Sequence, residues 1–397
     1  MKRVMILGSD GYIGWALSKS LSFAGISVLG IDNYSRRKLV AEVGGLSVIP
    51  IQSSRQREKL LRENGYDFSF VEGDLTDYLF LHDEIKKFKP DTIFHLGQQP
   101  SAPYSMRGVR EAVFTQSNNI ITTLNLIHAV QFLDSNISIV KIATAGEWGT
   151  PNIPISEGWM EIEYKGKKDT VPFPKQPGSF YHCAKVFDSI NIELACKIWG
   201  LNVTNVYQGV VFGNNINPRR IGSDTIFDSL EGAETRLDVD ECFGTVIHRF
   251  CAQAIINHPI TVYGSGGQKR GFLPLRDSVQ CLTLLGNNPA KGYRIVNQFA
   301  EIYSINQLAI TVLEVLKGMG QRVPRITNFN NPRVEKEEHE YEVEREILKQ
   351  LGYTPSISLK DEIRNILEDL VEHRKLIFVL KESSLLSPVT KWKKGNL

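Results

Sequence analysis

The chain has 397 residues, 42% hydrophobic and 23% charged, which fits one large two-part domain or two domains and excludes disorder as the main state. Its formal net charge of +2 is too near neutral to mark nucleic acid or an anionic membrane as the main partner, and no apolar run approaches the ~18 residues of a membrane span. The five cysteines, Cys183, Cys196, Cys242, Cys251 and Cys281, follow no metal-ligand spacing, so they read as reduced thiols of a cytoplasmic protein with no bound metal.

In chain order, RVMILG (3–8) reads as a strand, followed by a helix, YIGWALSKSLSFAG, that Gly25 stops. The strand begins so soon that any targeting segment would have to lie upstream of these residues. Strands are expected at 27–32, 68–74, 92–97, 138–144 and 202–209, with helices over 111–133 and over SFYHCAKVFDSINIELACKIWG, closed by Gly200. Apolar strands spaced by long helices predict an α/β architecture, a Rossmann-type doubly wound parallel sheet covered on both faces. The second half mixes a strand at 259–264 and a helix at 245–258 with a stretch, 333–374, rich in Glu, Lys and Arg and read as solvated helices. The tail LSPVTKWKKGNL is basic and read as peripheral. The expected division is a dinucleotide-binding domain over 1–207, with a lid-like insertion at 151–178 turning at Lys165–Lys168. Residues 208–397 form a smaller mixed α/β lobe, with segments able to return to the first domain, and ligand lies between the two.

GSDGYIG (8–14) places Gly8, Gly11 and Gly14 after a strand and at the start of a helix, with Asp10, Tyr12 and Ile13 between them. Glycines there allow the tight turn and let backbone N–H groups approach a pyrophosphate. Asp32 ends the second strand, where a carboxylate accepts ribose hydroxyls, and Asp74 ends the third, facing the adenine. Asn33, Leu75, Leu96 and Asn118 complete the expected cofactor wall. Asp32 repels a 2′-phosphate and favours NAD, although Arg36 and Arg37 nearby could tolerate NADP.

Tyr181 and Lys185 stand four apart, one above the other on a helix face. Thr144 ends the preceding strand, and strand ends in this fold converge on the cofactor. Cys183 beside them reads as a small core residue. A phenol titrating near pH ~10 is a poor base; a neighbouring lysine favours the phenolate.

Gly8–Gly14, Asp32, Asp74, Asn118, Thr144, Tyr181 and Lys185, in that order, resemble the extended short-chain dehydrogenases/reductases. VYGSGGQKRGFLPLRD (262–277) resembles that family's nucleotide-binding turn, with Tyr263, Gln268 and Arg270. NPRVEKEEH (331–339) adds Arg333, a second diphosphate clamp, and Gln208 is a further substrate residue. Closer still, SAPYSM (101–106), TQSNNI (115–120), GEWGTPNI (146–153), QGVVFG (208–213) and NPRVEKEEH are similar to the UDP-sulfoquinovose synthase branch. That resemblance implies UDP-glucose and sulfite, or a sulfite donor, as substrates, bound NAD that is recycled, and a homodimer through the 111–133 and 181–199 helices. Ala145-Gly146 stand where 4,6-dehydratases carry Asp-Glu after the Thr, so Glu147 or His182 is expected to move the protons of elimination. Pro100 stands where this branch carries a basic residue, and Ala145 where it carries Met. Gln98, Gln99, His182 and Arg110 are therefore candidates to receive sulfite. A UDP-glucose 4-epimerase or 4,6-dehydratase is the alternative, and a non-catalytic NAD-binding scaffold the remote one.

Overall fold

The computed structural model describes residues 1–214, 216, 230–333, 336, 341–382, 386 and 392. Strands β1 (Arg3–Leu7), β2 (Ser27–Asp32), β3 (Phe68–Glu72), β4 (Thr92–His95) and β5 (Ser138–Thr144) alternate with helices. The hairpin β6 (Trp159–Tyr164) and β7 (Lys167–Pro172) follows, then β8 (Asn202–Gln208) and β9 (Val210–Phe212). Beyond the helix Val246–Ile255 come β10 (Ile260–Tyr263), β11 (Lys269–Pro274), β12 (Tyr293–Gln298), β13 (Glu301–Ser304) and β14 (Ile326–Phe329).

Seven strands form one sheet in the order β12-β8-β5-β4-β1-β2-β3, every pairing parallel. The first strand runs exposed-buried-buried-buried-buried, as a strand packed on both faces requires. The order reverses between β1 and β4, the switch point at which open α/β sheets bind ligands. β12 arrives from the second half of the chain and pairs with β8 in full register from Tyr293 to Gln298. Its sequence, YRIVNQ, carries three charged or amide residues beside the single aliphatic pair Ile295–Val296 and does not announce a strand.

The second lobe gathers β13-β11-β9 and β10-β14 around a core built from the helices Val246–Ile255, Ile305–Gly318 and Leu359–Glu372. The last of these corrects the solvated reading of 333–374. Leu359, Ile363, Ile366, Leu367 and Leu370 are buried there, because the charges other than the buried Glu362 fall away from that face at helical spacing. Tail residues also depart from a peripheral reading: Leu386 is buried in this core and Trp392 lies 5.2 Å under the Arg333 guanidinium. The rest of the tail, and residues 334–335 and 337–340, lie outside the described residues.

A segment around 233–240 crosses onto the first lobe. The Ala233 carbonyl accepts from Trp15 Nε1 at 3.0 Å, and the Glu234 carbonyl from Arg57 Nη2 at 2.9 Å. Asp238 pairs with Arg36 at 2.6 Å and Arg236 at 2.9 Å; Asp238 and Arg236 are buried and Arg36 partly so. Burial opposes ionisation of Asp238, yet Arg36 and then Arg236 hold its carboxyl down to about 2. A depressed folded pKa stabilises above the unfolded value of 3.8 and loses that contribution as pH falls through about 2. Asp238→Asn should therefore cost about 2–3 kcal/mol at neutral pH. It should also flatten the acid limb of denaturant-measured stability below pH 4, where the wild type falls.

Candidate active site

The turn after β1 builds the first cavity, of about 360 Å³. Gly8 has φ +88°, and a Cβ at Gly14 would stand 2.0 Å from the Gly8 carbonyl oxygen, so neither tolerates a side chain. The helix Tyr12–Phe23 has no side-chain cap at Gly11, and its first-turn N–H groups face the cavity lined by Gly11, Tyr12, Ile13 and Gly14. Asp32 accepts from the Asp10 and Tyr34 backbone N–H groups. Burial, and then the charge of Asp10, raises its carboxyl to about 6. Asn33 donates to Asp74 at 3.0 Å, and both line the cavity with Leu75, Leu96, Asn118 and Arg36. These residues fit a dinucleotide: an uncapped helix end and glycine cradle for its pyrophosphate, carboxylates for its ribose and base.

Asp10 is a correction. Its carboxylate turns away from this cavity to Arg37 at 2.6 and 2.7 Å, Ser54 at 2.8 Å and Arg57 at 3.2 Å. Only its backbone N–H serves the cofactor wall, through Asp32. Arg36 and Arg37 are both committed to carboxylates, which leaves a 2′-phosphate without the cation the sequence had offered it.

A second cavity, of about 640 Å³, opens toward the other lobe and is lined by Arg270, Arg333, Gln176, Thr150 and Tyr341. Thr144, His182, Gln208, Gly209 and Ala102 line both cavities. Tyr181 and Lys185 line the first at this junction. Ser179 caps the helix Phe180–Trp199 by accepting from the His182 N–H, and this sets the first turn that carries Tyr181 and His182. The Thr144 hydroxyl is near enough to the Tyr181 hydroxyl to favour its phenolate. Burial, and then the charge of Glu147, pushes the phenol well above its ordinary value, with Thr144 opposing. The protein's own groups thus raise the phenol, and the expected lowering rests on Lys185 together with the nicotinamide charge of bound NAD. Lys185 Nζ lies 5.8 Å from the Tyr181 ring centre. The His182 ring lies 5.2 Å from that of Tyr181, takes a 3.0 Å contact from Ser179 Oγ, and packs where a Cβ on Gly146 would stand.

Three further expected site residues sit elsewhere. Glu147 leaves the 3₁₀ turn Ala145–Glu147 pointing inward: it is fully buried, accepts from Ser189 at 2.9 Å, and lies 3.5 Å from Lys175, outside both cavity linings. Gln268 is buried and donates to the Tyr263 carbonyl at 3.1 Å. Tyr263 packs under Arg333, 5.8 Å from its guanidinium, rather than on a cavity wall. Among the candidates for sulfite, Gln98 and His182 line cavities, as does Pro100. Gln99 is buried on Ser101 and Thr115, and the exposed Arg110 pairs with Glu42 and Glu111. The insertion at 151–178 divides similarly: Gln176, Pro177 and Gly178 line the second cavity, while the β6–β7 hairpin stands exposed.

Sequence reading missed Lys141 and Asp188, fully buried beneath the Tyr–Lys pair. A lysine in the middle of the apolar strand SIVKIAT was the available signal. All five cysteines are free thiols. Among the described residues no group of His, Cys, Asp or Glu is set to hold a metal, and no helix is long and apolar enough to cross a membrane.

Residues 4–298 match the NAD dependent epimerase/dehydratase family. The UDP-sulfoquinovose synthase of Sulfolobus acidocaldarius is 41% identical over 99% of this chain and 98% of that protein. The chloroplastic UDP-sulfoquinovose synthase of Spinacia oleracea is 40% identical over 99% of this chain and 80% of its own length. A UDP-glucose 4-epimerase of Thermotoga maritima, solved with UDP-glucose, superposes with a TM-score of 0.68 over 94% of this chain and 99% of that one. At 17% identity this is a likeness of fold. The chain belongs to the NAD-dependent epimerase/dehydratase family and, within it, to the UDP-sulfoquinovose synthases.

Proposed function

We propose that this chain converts UDP-glucose and sulfite to UDP-sulfoquinovose and water. What carries the reading, beside the near full-length relatives, is the meeting of two cavities at Thr144 and His182, next to Tyr181. The first lobe with β12 would hold NAD through Gly8, Gly11, Gly14, Asp32, Asn33 and Asp74. The second would hold most of the nucleotide sugar, with Arg270 and Arg333 on its diphosphate. NAD, when bound, takes the hydride from C4 of the sugar and later returns it, so the reaction has no net redox change. Thr144 holds the C4 hydroxyl, and Tyr181 accepts its proton and later gives it back. The 4-ketone acidifies the C5 proton. His182, which lines both cavities where Glu147 lines neither, would remove it and pass it to the C6 hydroxyl, which leaves as water. Sulfite, arriving as bisulfite, then forms a carbon–sulfur bond at C6, and the proton it brings goes to C5.

Glu147 keeps an electrostatic part, since its charge acts on Tyr181 from beneath. The insertion's C-terminal end, Gln176, Pro177 and Gly178, walls the sugar cavity and would exclude water from the unsaturated ketone. The free thiols fit a reducing compartment such as the cytoplasm.

With sulfite withheld, purified protein and UDP-glucose should yield a dehydrated 4-keto sugar nucleotide by mass spectrometry. His182→Asn should stop that dehydration while C4 oxidation persists. UDP-galactose as the main product would favour an epimerase instead.

We also propose a homodimer. The packed helices Val109–Leu133 and Phe180–Trp199 leave Val113, Phe187, Ile190, Leu194 and Ile198 exposed, each by about half its surface, an apolar patch of the kind that marks an interface. Leu194→Asp should convert the dimer to a monomer in light scattering; an unchanged mass would remove this face as the interface.

A further inference from the structure

Two lysines meet beneath the cofactor cavity. Lys185 Nζ donates to Gln98 Oε1 and to the Ile142 carbonyl, both at 2.6 Å. Lys141, wholly buried in β5, donates to the same two oxygens, at 2.9 and 3.0 Å. Among the described residues its carboxylate partner is Asp188 at 3.0 Å, and Asp188 Oδ1 is buried with no hydrogen-bond partner there. Gln98 Nε2 donates to Asp188 at 2.8 Å, to the Asn119 carbonyl at 2.7 Å and to Thr123 at 3.0 Å. These bonds fix the amide so that its oxygen faces both ammonium groups. A buried cation unpaired or half-paired is costly, so a second lysine at this depth calls for a role.

We propose that Lys141 is a positioning residue for the Tyr181–Lys185 pair: through Gln98 Oε1 and the Ile142 carbonyl, which both lysines share, it aims the Lys185 ammonium. The inference rests on the reaction proposed above and deepens it. Like charges sharing acceptors repel, and a neighbouring cation is a known way of making a lysine more acidic. The other charged or titratable groups facing Lys185 are His95 on β4, Glu147 (itself beside Lys175), and Asp188 and Tyr181 on its own helix. Burial, then Lys141, then Lys185 keep His95 neutral, well below its ordinary value. Lys185 itself is lowered by burial first and by Lys141 next, with Asp188 opposing. Without Lys141, the Asp188 carboxylate would draw the Lys185 ammonium toward itself and out of aim.

The test is carbon-13 NMR of the full-length protein labelled at the lysine Cε, the two resonances assigned with Lys185→Arg and Lys141→Met. In Lys141→Met the Lys185 titration should move upward by about one pH unit or more. In Lys141→Met/Asp188→Asn, which removes both buried charges and guards against misfolding, it should move the same way by less. With UDP-glucose and sulfite, kcat of either variant should fall about tenfold while KM stays within about threefold. A Lys185 titration unmoved in both folded variants overturns the role of Lys141, whatever turnover does. A wild type that makes no sulfosugar would instead sink the proposed reaction, and the titration would still decide the lysine pair.

Discussion

Tyr181→Phe should lower kcat by about 10³-fold while KM for UDP-glucose stays within about threefold. The substitution keeps the ring that packs beside His182 at 5.2 Å and removes only the hydroxyl that meets Thr144. Its effect should therefore fall on proton transfer at C4 and not on binding, with an unchanged thermal transition. The same group sets the pH profile. Burial and Glu147 raise the phenol, and a base whose pKa is raised is less often in its acting form at neutrality. Activity should thus climb with pH through and above neutrality, until the positive charges of Lys185 and bound NAD no longer suffice to hold the complex together. Retention of more than a tenth of kcat in Tyr181→Phe would remove Tyr181 as the C4 base.

Asp10→Asn should cost about 3–5 kcal/mol of stability, near the largest effect of any single polar substitution here. Asp10 is 1% exposed and balances two guanidinium groups at once. One of these, Arg57, is itself buried over the Trp15 ring at 4.4 Å. With an amide in place of the carboxylate, both cations lose this counter-charge, and Arg57 does so while remaining inside. Guanidinium denaturation should show the loss, and Asp10→Asn/Arg57→Met should recover part of it, because the pair then leaves less uncompensated charge. Wild-type stability in Asp10→Asn would contradict the burial of this cluster.

The glycine cradle, Asp32, Asp74 and the Thr144–Tyr181–Lys185 set were legible because each depends on local spacing: a strand end, a turn, one face of one helix. What escaped depends on direction or on distant pairing. Glu147 follows Thr144 by three residues, and spacing alone did not reveal that a 3₁₀ turn sends its side chain down to Ser189. Asp10 lies inside the glycine motif, but its carboxylate answers arginines 27 and 47 residues away. β12 is defined by its partner β8, ninety residues earlier, and its own letters are too polar to declare it. The helix Leu359–Glu372 was masked by its charge count, although its apolar residues keep helical period. Lys141 was visible as a charge in an apolar strand; its meaning required Asp188 and Gln98 from two other elements.

The most direct measurement is mass spectrometry of the products that purified protein forms from UDP-glucose, NAD and sulfite, beside a control without sulfite. A UDP-hexose sulfonate that appears only with sulfite, and disappears in Tyr181→Phe, is the predicted result. UDP-galactose or an unsulfonated keto sugar as the sole product, with sulfite present, would contradict the account.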